Sequence, residues 1–357
     1  MNILLVRLRL IGDVVFTTPI IAALRRAYPA ARLTYLVEPS AAPVVAHNPH
    51  LSRIITVPHS RGWKRVVDDV RVGLDLRRSR FDLVVDLHGG PRSAWFTWAS
   101  RARVRVGYDV PGRSWMYTRV VTRPRGYRPR HAVENQWDLM AAIDPALARP
   151  ATRDGNRVEM PVTSEAVDAA LQALAALGIP ADASLVVMHV SAGNPFRRWP
   201  EAAFAAVAAR LTQADDRRWT LVTAGPSDRE AAQRIVTDAR RTAGASGARI
   251  VVADTLSLPA LRATLDRAAV FIGGDSGPLH IAATADVPIV GLYGPTLPER
   301  SAPWRPASIP TASVEPGPLA CRPCDQRTCV PGDFRCLAQV SPEAVYVQAA
   351  RLLELAR

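Results

Sequence analysis

The chain has 357 residues, 48% of them hydrophobic, enough for two domains with cores of ordinary size. Its net charge of +13 points to an anionic partner, such as nucleic acid, a phosphorylated glycan or an acidic membrane surface, if it is more than a solvated basic face. No apolar stretch approaches the ~18–20 residues of a membrane span, which excludes a membrane-spanning chain.

The N-terminus MNILLVRLRLIGDVVF is apolar, but Arg7 and Arg9 interrupt it and Gly12-Asp13 ends the run. This predicts a first strand over Asn2 to Val6, not a signal peptide, and a cytosolic protein. A loop over Arg9 to Asp13 precedes a helix from Val14 to Tyr28, with Pro19 near its start. Strands follow at Leu33 to Val37 and Ile54 to Val57, separated by a short helix over Ala41 to His47. A helix over Asp68 to Arg80 leads to the strand FDLVVDL, Phe81 to Leu87, which ends in His88-Gly89-Gly90. A short helix over Ser93 to Trp98 and a strand over Val104 to Tyr108 come next. Short apolar strands alternating with helices predict a parallel sheet covered on both faces.

From Gly112 to Arg130 the character changes: six Arg and no acid stand beside Trp115, Tyr117 and Tyr127. A helix over Ala132 to Ile143 follows. Asp144 to Pro161, with Pro145 and Pro150, reads as a linker and edge strand. Thr163 or Ser164 caps a helix to Leu177, which Gly178 ends. A second alternation then begins. Strands are expected at Leu185 to His189, Trp219 to Thr223 and Arg249 to Val252. Helices are expected after Trp199-Pro200 to Leu211, over Asp228 to Thr242 and over Leu258 to Arg267.

The most informative stretch is FIGGDSGPLH, Phe271 to His280, continuing IAATADVPIVGLYGPT to Thr296. It predicts a strand, a Gly-rich turn, a helix entered at Pro278 and a second strand over Pro288 to Tyr293. Backbone N–H groups at such a turn suit a phosphate. Asp275 would stand at the carboxyl end of its strand, where open α/β sheets place ligands. Ser276 would cap the helix and donate to the anion, and His280 would reach it. GDSG is also the nucleophile motif of chymotrypsin-like proteases, but those are all-β, secreted and disulfide-rich. A plain structural turn is the other alternative.

Further candidates lie at other strand ends. Asp13 follows the first strand and could take a proton from a hydroxyl, or simply cap a helix. In HVSAGNPFRRWP, Ser191, Ala192 and Gly193 offer backbone N–H groups, and Arg197 and Arg198 offer fixed charge for a diphosphate. Gly225 to Glu230, GPSDRE, could touch a ribose or base. The basic segments Arg61 to Arg65 and Arg113 to Arg130 would face an acidic acceptor or lipid head groups. Cys321, Cys324, Cys329 and Cys336 occupy one window, which suggests a structural zinc or iron site, with reduced thiols or bridges as the alternative. Neither half has G-x-G-x-x-G after its first strand, which argues against a dehydrogenase.

Together, IGDVVFTTPIIAALRRAYP, FDLVVDLHGGPRS, VGYD, NPFRRWP, GGDSGPLHIAATADVPIVGLYGPT and CRPCDQRTC resemble the ADP-heptose lipopolysaccharide heptosyltransferases, glycosyltransferase family 9, over nearly the whole chain. The resemblance implies a GT-B fold, α/β, with two Rossmann-like domains facing a central cleft. Residues 1–160 would be the acceptor-binding domain and 161–340 the donor domain with the Cys cluster, followed by a C-terminal helix over 341–357. It also implies inverting transfer of heptose from ADP-heptose to a lipopolysaccharide inner-core hydroxyl, with no cofactor needed for the chemistry. Asp13 would be the general base. Ser191, Gly193, Arg197, Asp275, Ser276, Gly277 and His280 would bind the donor, Asp275 through the sugar and the others around the diphosphate. Arg61, Lys64 and Arg65 would face the acceptor. Position 197 is usually Lys in the family, and Arg is bulkier and bidentate there. The family often carries a Glu near the donor ribose, where this chain has Gly225-Pro226-Ser227. The charge would suit an anionic glycolipid and the inner face of the cytoplasmic membrane, with no nucleic acid expected. A protein acceptor, such as an autotransporter, is the enzyme alternative. A basic, Cys-metal nucleic-acid-binding protein is the alternative of another class.

Overall fold

The structure is a computed structural model and describes residues 1–122, 130–253 and 256–355. Expectations that fall on 123–129, within the second basic segment, and on 356–357, at the end of the C-terminal helix, lie outside the described residues. The chain divides into two compact units, Met1–Pro161 and Val162–Arg357.

In the first unit, β1 (Asn2–Val6) has parallel partners on both sides, β2 (Arg32–Val37) and β4 (Leu83–Asp86). A strand so placed is covered on both faces and reads as a continuous apolar run. Ile3 to Val6 are accordingly fully buried. The sheet is completed by β3 (Arg53–Thr56), β5 (Val104–Tyr108) and β6 (Arg119–Val121), in the order β3-β2-β1-β4-β5-β6. Its helices are α1 (Ile11–Val15), α2 (Thr18–Ala27), α3 (Gly62–Arg78), α4 (Pro91–Ala99) and α5 (Ala132–Ile143). Leu4, Val6, Leu36, Val57, Leu76, Val84 and Phe96 form one core cluster.

The second unit repeats the plan. Its helices are α6 (Ser164–Ala176), α7 (Glu201–Gln213), α8 (Arg229–Ala243), α9 (Leu258–Leu265), α10 (Gly277–Ala282), α11 (Pro298–Ser301), α12 (Arg335–Ala338) and α13 (Pro342–Leu355). Its strands are β7 (Ser184–His189), β8 (Arg218–Thr223), β9 (Ile250–Ala253), β10 (Ala268–Gly274), β11 (Ile289–Leu292) and β12 (Thr311–Val314). The order β12-β11-β10-β7-β8-β9, read from β9, repeats that of the first sheet. Both are the 3-2-1-4-5-6 order of an open, doubly wound dinucleotide-binding sheet, in which the crevice opens between the first and fourth strands. Trp199 is buried, and its indole N–H donates to Val340 O at 2.9 Å, tying the start of α7 to the turn before α13.

Several expectations change. The loop expected over Arg9 to Asp13 is helical from Ile11, and the single helix over 14–28 is two helices, broken at Phe16 and Thr17, with Pro19 at the start of the second. The short helix expected over Ala41 to His47 is a single 3-10 turn, Ala42–Val44. α3 starts at Gly62, not Asp68, so Trp63, Lys64 and Arg65 are helical. Its first turn is basic, against the helix dipole, and no side chain caps it, so the usual start signals are missing. The stretch 144–161 contains no strand; the edge strand is β6, inside the basic segment. Ser276 occupies the N-cap position of α10, but its hydroxyl makes no capping bond.

Candidate active site

Both crevice points carry charged groups. In the first unit, the loop after β1 leads into α1, where Asp13 lies in the first turn. Asp13 is about one-third exposed and ion-paired with the nearly buried Arg7 guanidinium. Arg7 in turn donates to Leu87 O at 2.8 Å, so the pair is anchored on the chain just past β4. Asp86, at the end of β4, is fully buried. Its carboxylate accepts from His88 N and Gly89 N at 2.9 Å each, Ser93 Oγ at 2.9 Å and Tyr117 Oη at 2.7 Å. Burial nevertheless wins over these neutral donors and pushes its pKa up.

Past β2 and β3 lies an ion cluster that the sequence reading did not single out. Arg92, in the first turn of α4, donates to Glu38 at 2.8 Å and to Asp69 at 2.6 Å. His59 lies 3.9 Å from Glu38 and Arg65 lies 3.9 Å from Asp69. The cluster thereby fastens the segment carrying the expected acceptor residues to the sheet edge. Arg61, Lys64 and Arg65 are all exposed.

In the second unit, Asp275 follows β10 and is only 3% exposed. Arg197 Nη1 stands 3.3 Å from its carboxylate and donates to its backbone O at 3.0 Å. His280 Nε2 lies 3.3 Å away, and Thr296 Oγ1 donates at 2.6 Å. Burial alone would raise the Asp275 pKa, but His280, Arg197 and Thr296 together outweigh it and hold it at about 2. Ser276 Oγ is buried without a hydrogen-bond partner among the described residues. Gly277 opens α10, only six residues long, so a long helix dipole is not part of this corner. A Cβ at Gly274 would come within 3.1 Å of Arg197 O, so the two loops are in close contact there.

The loop after β7 is tied to the loop after β8. Ser191 Oγ donates to the buried Asp228, whose other oxygen takes Arg198 Nη2 at 2.9 Å. The Ser191 hydroxyl is therefore committed to Asp228, a carboxylate the GPSDRE reading did not single out. A Cβ at Gly193 would meet nothing within 4 Å, so its backbone stands open. His189 is fully buried beside Thr223, 3.0 Å from Nδ1 to Oγ1; burial drives its pKa down to about 4 and keeps it neutral, despite an opposing pull from Asp228.

The Cys segment braces this corner. Gln326 Oε1 accepts from Arg197 Nε at 2.7 Å and Asn194 Nδ2 at 2.9 Å. Arg322 Nη2 donates to Thr296 O at 3.0 Å, and Phe334 packs edge-on against Phe196. The four thiols are free and partly exposed. The Cys336 thiol pKa is raised first by burial and then by Cys324, Cys321 and Cys329. Among the described residues no three His, Cys, Asp or Glu side chains gather to hold a metal ion. The expected structural zinc or iron thus has no formed ligand set among the described residues, although the thiols are near enough for Cys336 to feel the other three.

The sequence profile of glycosyltransferase family 9 (heptosyltransferase) matches residues 70–332. The chain belongs to this family. Lipopolysaccharide heptosyltransferase 1 of Pseudomonas aeruginosa is 29% identical over 343 residues, covering 92% of this chain and 87% of the relative. Among solved structures, the family 9 glycosyl transferase of Veillonella parvula superposes with a TM-score of 0.82 at 22% identity, covering 99% of this chain and 97% of the other. The Escherichia coli heptosyltransferase WaaC, solved with ADP and with ADP-2-deoxy-2-fluoro heptose, gives 0.72 and 0.68 at 21% identity, with full coverage of both chains. The fold is GT-B, and the family 9 chain is a heptosyl-transferring glycosyltransferase. The matched stretch contains Arg197, Asp275, Ser276 and His280, whereas Asp13 precedes it. Among the described residues no helix is long and apolar enough to cross a membrane.

Proposed function

We propose that this family 9 enzyme moves heptose from ADP-heptose to a hydroxyl of a lipopolysaccharide inner-core acceptor by one inverting displacement. The observation that carries the reading is the corner after β10. Asp275 fixes Arg197 and His280 beside the unbonded, buried Ser276 hydroxyl. Such a corner is a preformed cradle for the diphosphate of the donor. Arg197 brings fixed charge, Ser276 a hydrogen-bond donor, and the open backbone at Gly193 an approach for the phosphates. Asp275 holds these groups in place and lines the sugar side. The names of the relatives support the donor and the acceptor class.

In the first unit, Asp13 is the general base. The acceptor oxygen attacks the anomeric carbon from the face opposite ADP, its proton passes to Asp13, and the carbon–oxygen bond to ADP breaks with both electrons leaving on the diphosphate. Arg7 orients the Asp13 carboxylate through their ion pair. Arg61, Lys64 and Arg65 meet the anionic groups of the acceptor. Proton removal and departure of ADP belong to one step, so both groups act together.

Calorimetric titration with ADP-heptose, ADP, UDP and GDP tests this. Tight binding of the ADP compounds alone is expected. A preference for UDP or GDP would break the heptose assignment while keeping the mechanism, and no binding at all would remove the cradle as a donor site.

A further inference from the structure

Helix α3 carries an apolar stripe that its own unit leaves uncovered. Trp63, Val66, Val70 and Leu74 are 78%, 48%, 45% and 46% exposed. At the helical repeat they fall within about 80° of one another and run along roughly 16 Å of the helix. The opposite face is spoken for: Leu76 and Val72 enter the core. On the flank, Gly73 brings α3 so close to α4 that a Cβ would lie 2.7 Å from the Trp95 ring. The stripe is therefore fixed to face outward. It exposes on the order of 400 Å², in the range of the largest apolar patch on an ordinary monomer, a patch that is often functional.

The charges around the stripe select the partner. Lys64, Arg71 and Arg78 recur every seven residues along one border, and Arg77 lies on the stripe itself. The acids on the same helix are fewer on this face. Asp75 sits 3.2 Å from Arg78 and is exposed, whereas Asp68, 3.7 Å from Arg71, is nearly buried. The first turn adds Lys64 and Arg65 behind the N-cap Arg61, where the helix dipole disfavours cations. Arg65, Arg71 and Arg78 each lie within 4 Å of an acid of the same helix, but five bases against three acids leave α3 a net cation, which suits an external anion. A second copy of the chain fits poorly, since a stable dimer needs about 800 Å² per partner and lysine is depleted at interface cores.

We propose that α3 is a membrane-docking element that lies in the headgroup layer of an anionic bilayer. Trp63 and the three aliphatic side chains enter the acyl boundary, and the flanking bases meet lipid phosphates. Trp63 stands at the end of α3 nearest the carboxyl ends of the strands. Docking would present a lipid-borne acceptor to the edge that holds Arg61 and Asp13; this last point alone rests on the acceptor reading above.

The test uses the full chain sedimented with vesicles of phosphatidylglycerol and phosphatidylethanolamine, and with phosphatidylcholine vesicles as the neutral reference. Two variants are compared, Val66→Ser/Val70→Ser/Leu74→Ser and Arg71→Glu/Arg78→Glu, all at exposed positions, with thermal melts to check folding. The wild-type chain is expected to partition onto anionic vesicles, and each variant to lose about 10-fold or more, the Arg variant losing its salt dependence as well. Failure of the wild-type chain to sediment with anionic vesicles would overturn the proposal. So would variants that partition like wild type, equal partitioning onto the neutral vesicles, or a dimer that the Ser variant dissociates. ADP affinity, measured on the same samples, keeps this result separate from the donor reading: vesicle binding without ADP binding breaks only the latter, and the reverse breaks only the former.

Discussion

Asp86 and Asp275 stand at the same corner of two sheets with the same strand order, each at the end of the fourth strand of its unit. Both are almost sealed from water. Asp86 meets only neutral donors, two backbone N–H groups and two hydroxyls, and burial drives its pKa up. Asp275 meets an imidazole, a guanidinium and one hydroxyl, and its pKa falls to about 2. The lesson is electrostatic. Here four hydrogen bonds from neutral groups do not make up for the lost hydration of Asp86, whereas a guanidinium, an imidazole and a hydroxyl do for Asp275. The first unit thus uses its buried carboxylate to shape the Gly89-Gly90 turn, and the partly exposed Asp13 is the one proposed to take a proton. The second unit uses its buried carboxylate to hold Arg197 and His280.

Substitutions can break this contrast. The largest effect is expected at Asp13: Asp13→Asn should lower the transfer rate by ~10²–10⁴-fold with ADP affinity unchanged. Steady-state rates beside calorimetry would check it, and undiminished turnover would take Asp13 out of the chemistry. Asp275→Asn should cost about 3 kcal/mol of stability, because it removes the buried carboxylate that pairs with the part-exposed Arg197 and accepts from Thr296. The pH dependence gives it a signature. The Asp275 contribution is present above the ordinary carboxylate value near 4 and lost as pH falls towards 2, about 2 kcal/mol in all. Acid unfolding of the variant should lack that slope.

His189 supplies a second pH effect in the same unit. It is neutral in the fold, with a pKa near 4 against an ordinary 6.5. Stability should be full above pH 6.5 and fall by about 3 kcal/mol as pH drops to 4, since the unfolded chain takes the proton more readily. His189→Asn, which can keep the bond to Thr223, should flatten that decline in urea melts taken across the range. The smallest effect is expected at Asp86. With its pKa raised, its contribution is present at low pH and lost as pH rises past that value, opposite in sign to Asp275. Asp86→Asn should therefore cost only about 1 kcal/mol at neutral pH. A loss as large as that of Asp275→Asn would end the contrast.

The alternation of strands and helices was legible from local apolar runs and helix ends, and β1, β5 and α5 have the predicted bounds. These elements are buried enough, or capped clearly enough, for their own residues to announce them. β6 and α3 were not: β6 is three residues long, at a sheet edge and largely exposed, and α3 begins with exposed basic residues that no helix rule favours. The corner around Asp275 was legible as a set of residue types in GGDSGPLH and NPFRR. Its wiring was not.

The chain by itself determined the family, the two parallel sheets and the kind of chemistry, because periodicity, turn glycines and motif spacing act over a few residues. Only the tertiary structure decided which carboxylate faces water and which is locked to cations. Thr296 reaches Asp275 from 21 residues away, Gln326 reaches Arg197 from 129, and Asp228 takes the Ser191 hydroxyl from 37. Burial and such distant partners set the charge state of a side chain, and neither is written in the residues beside it.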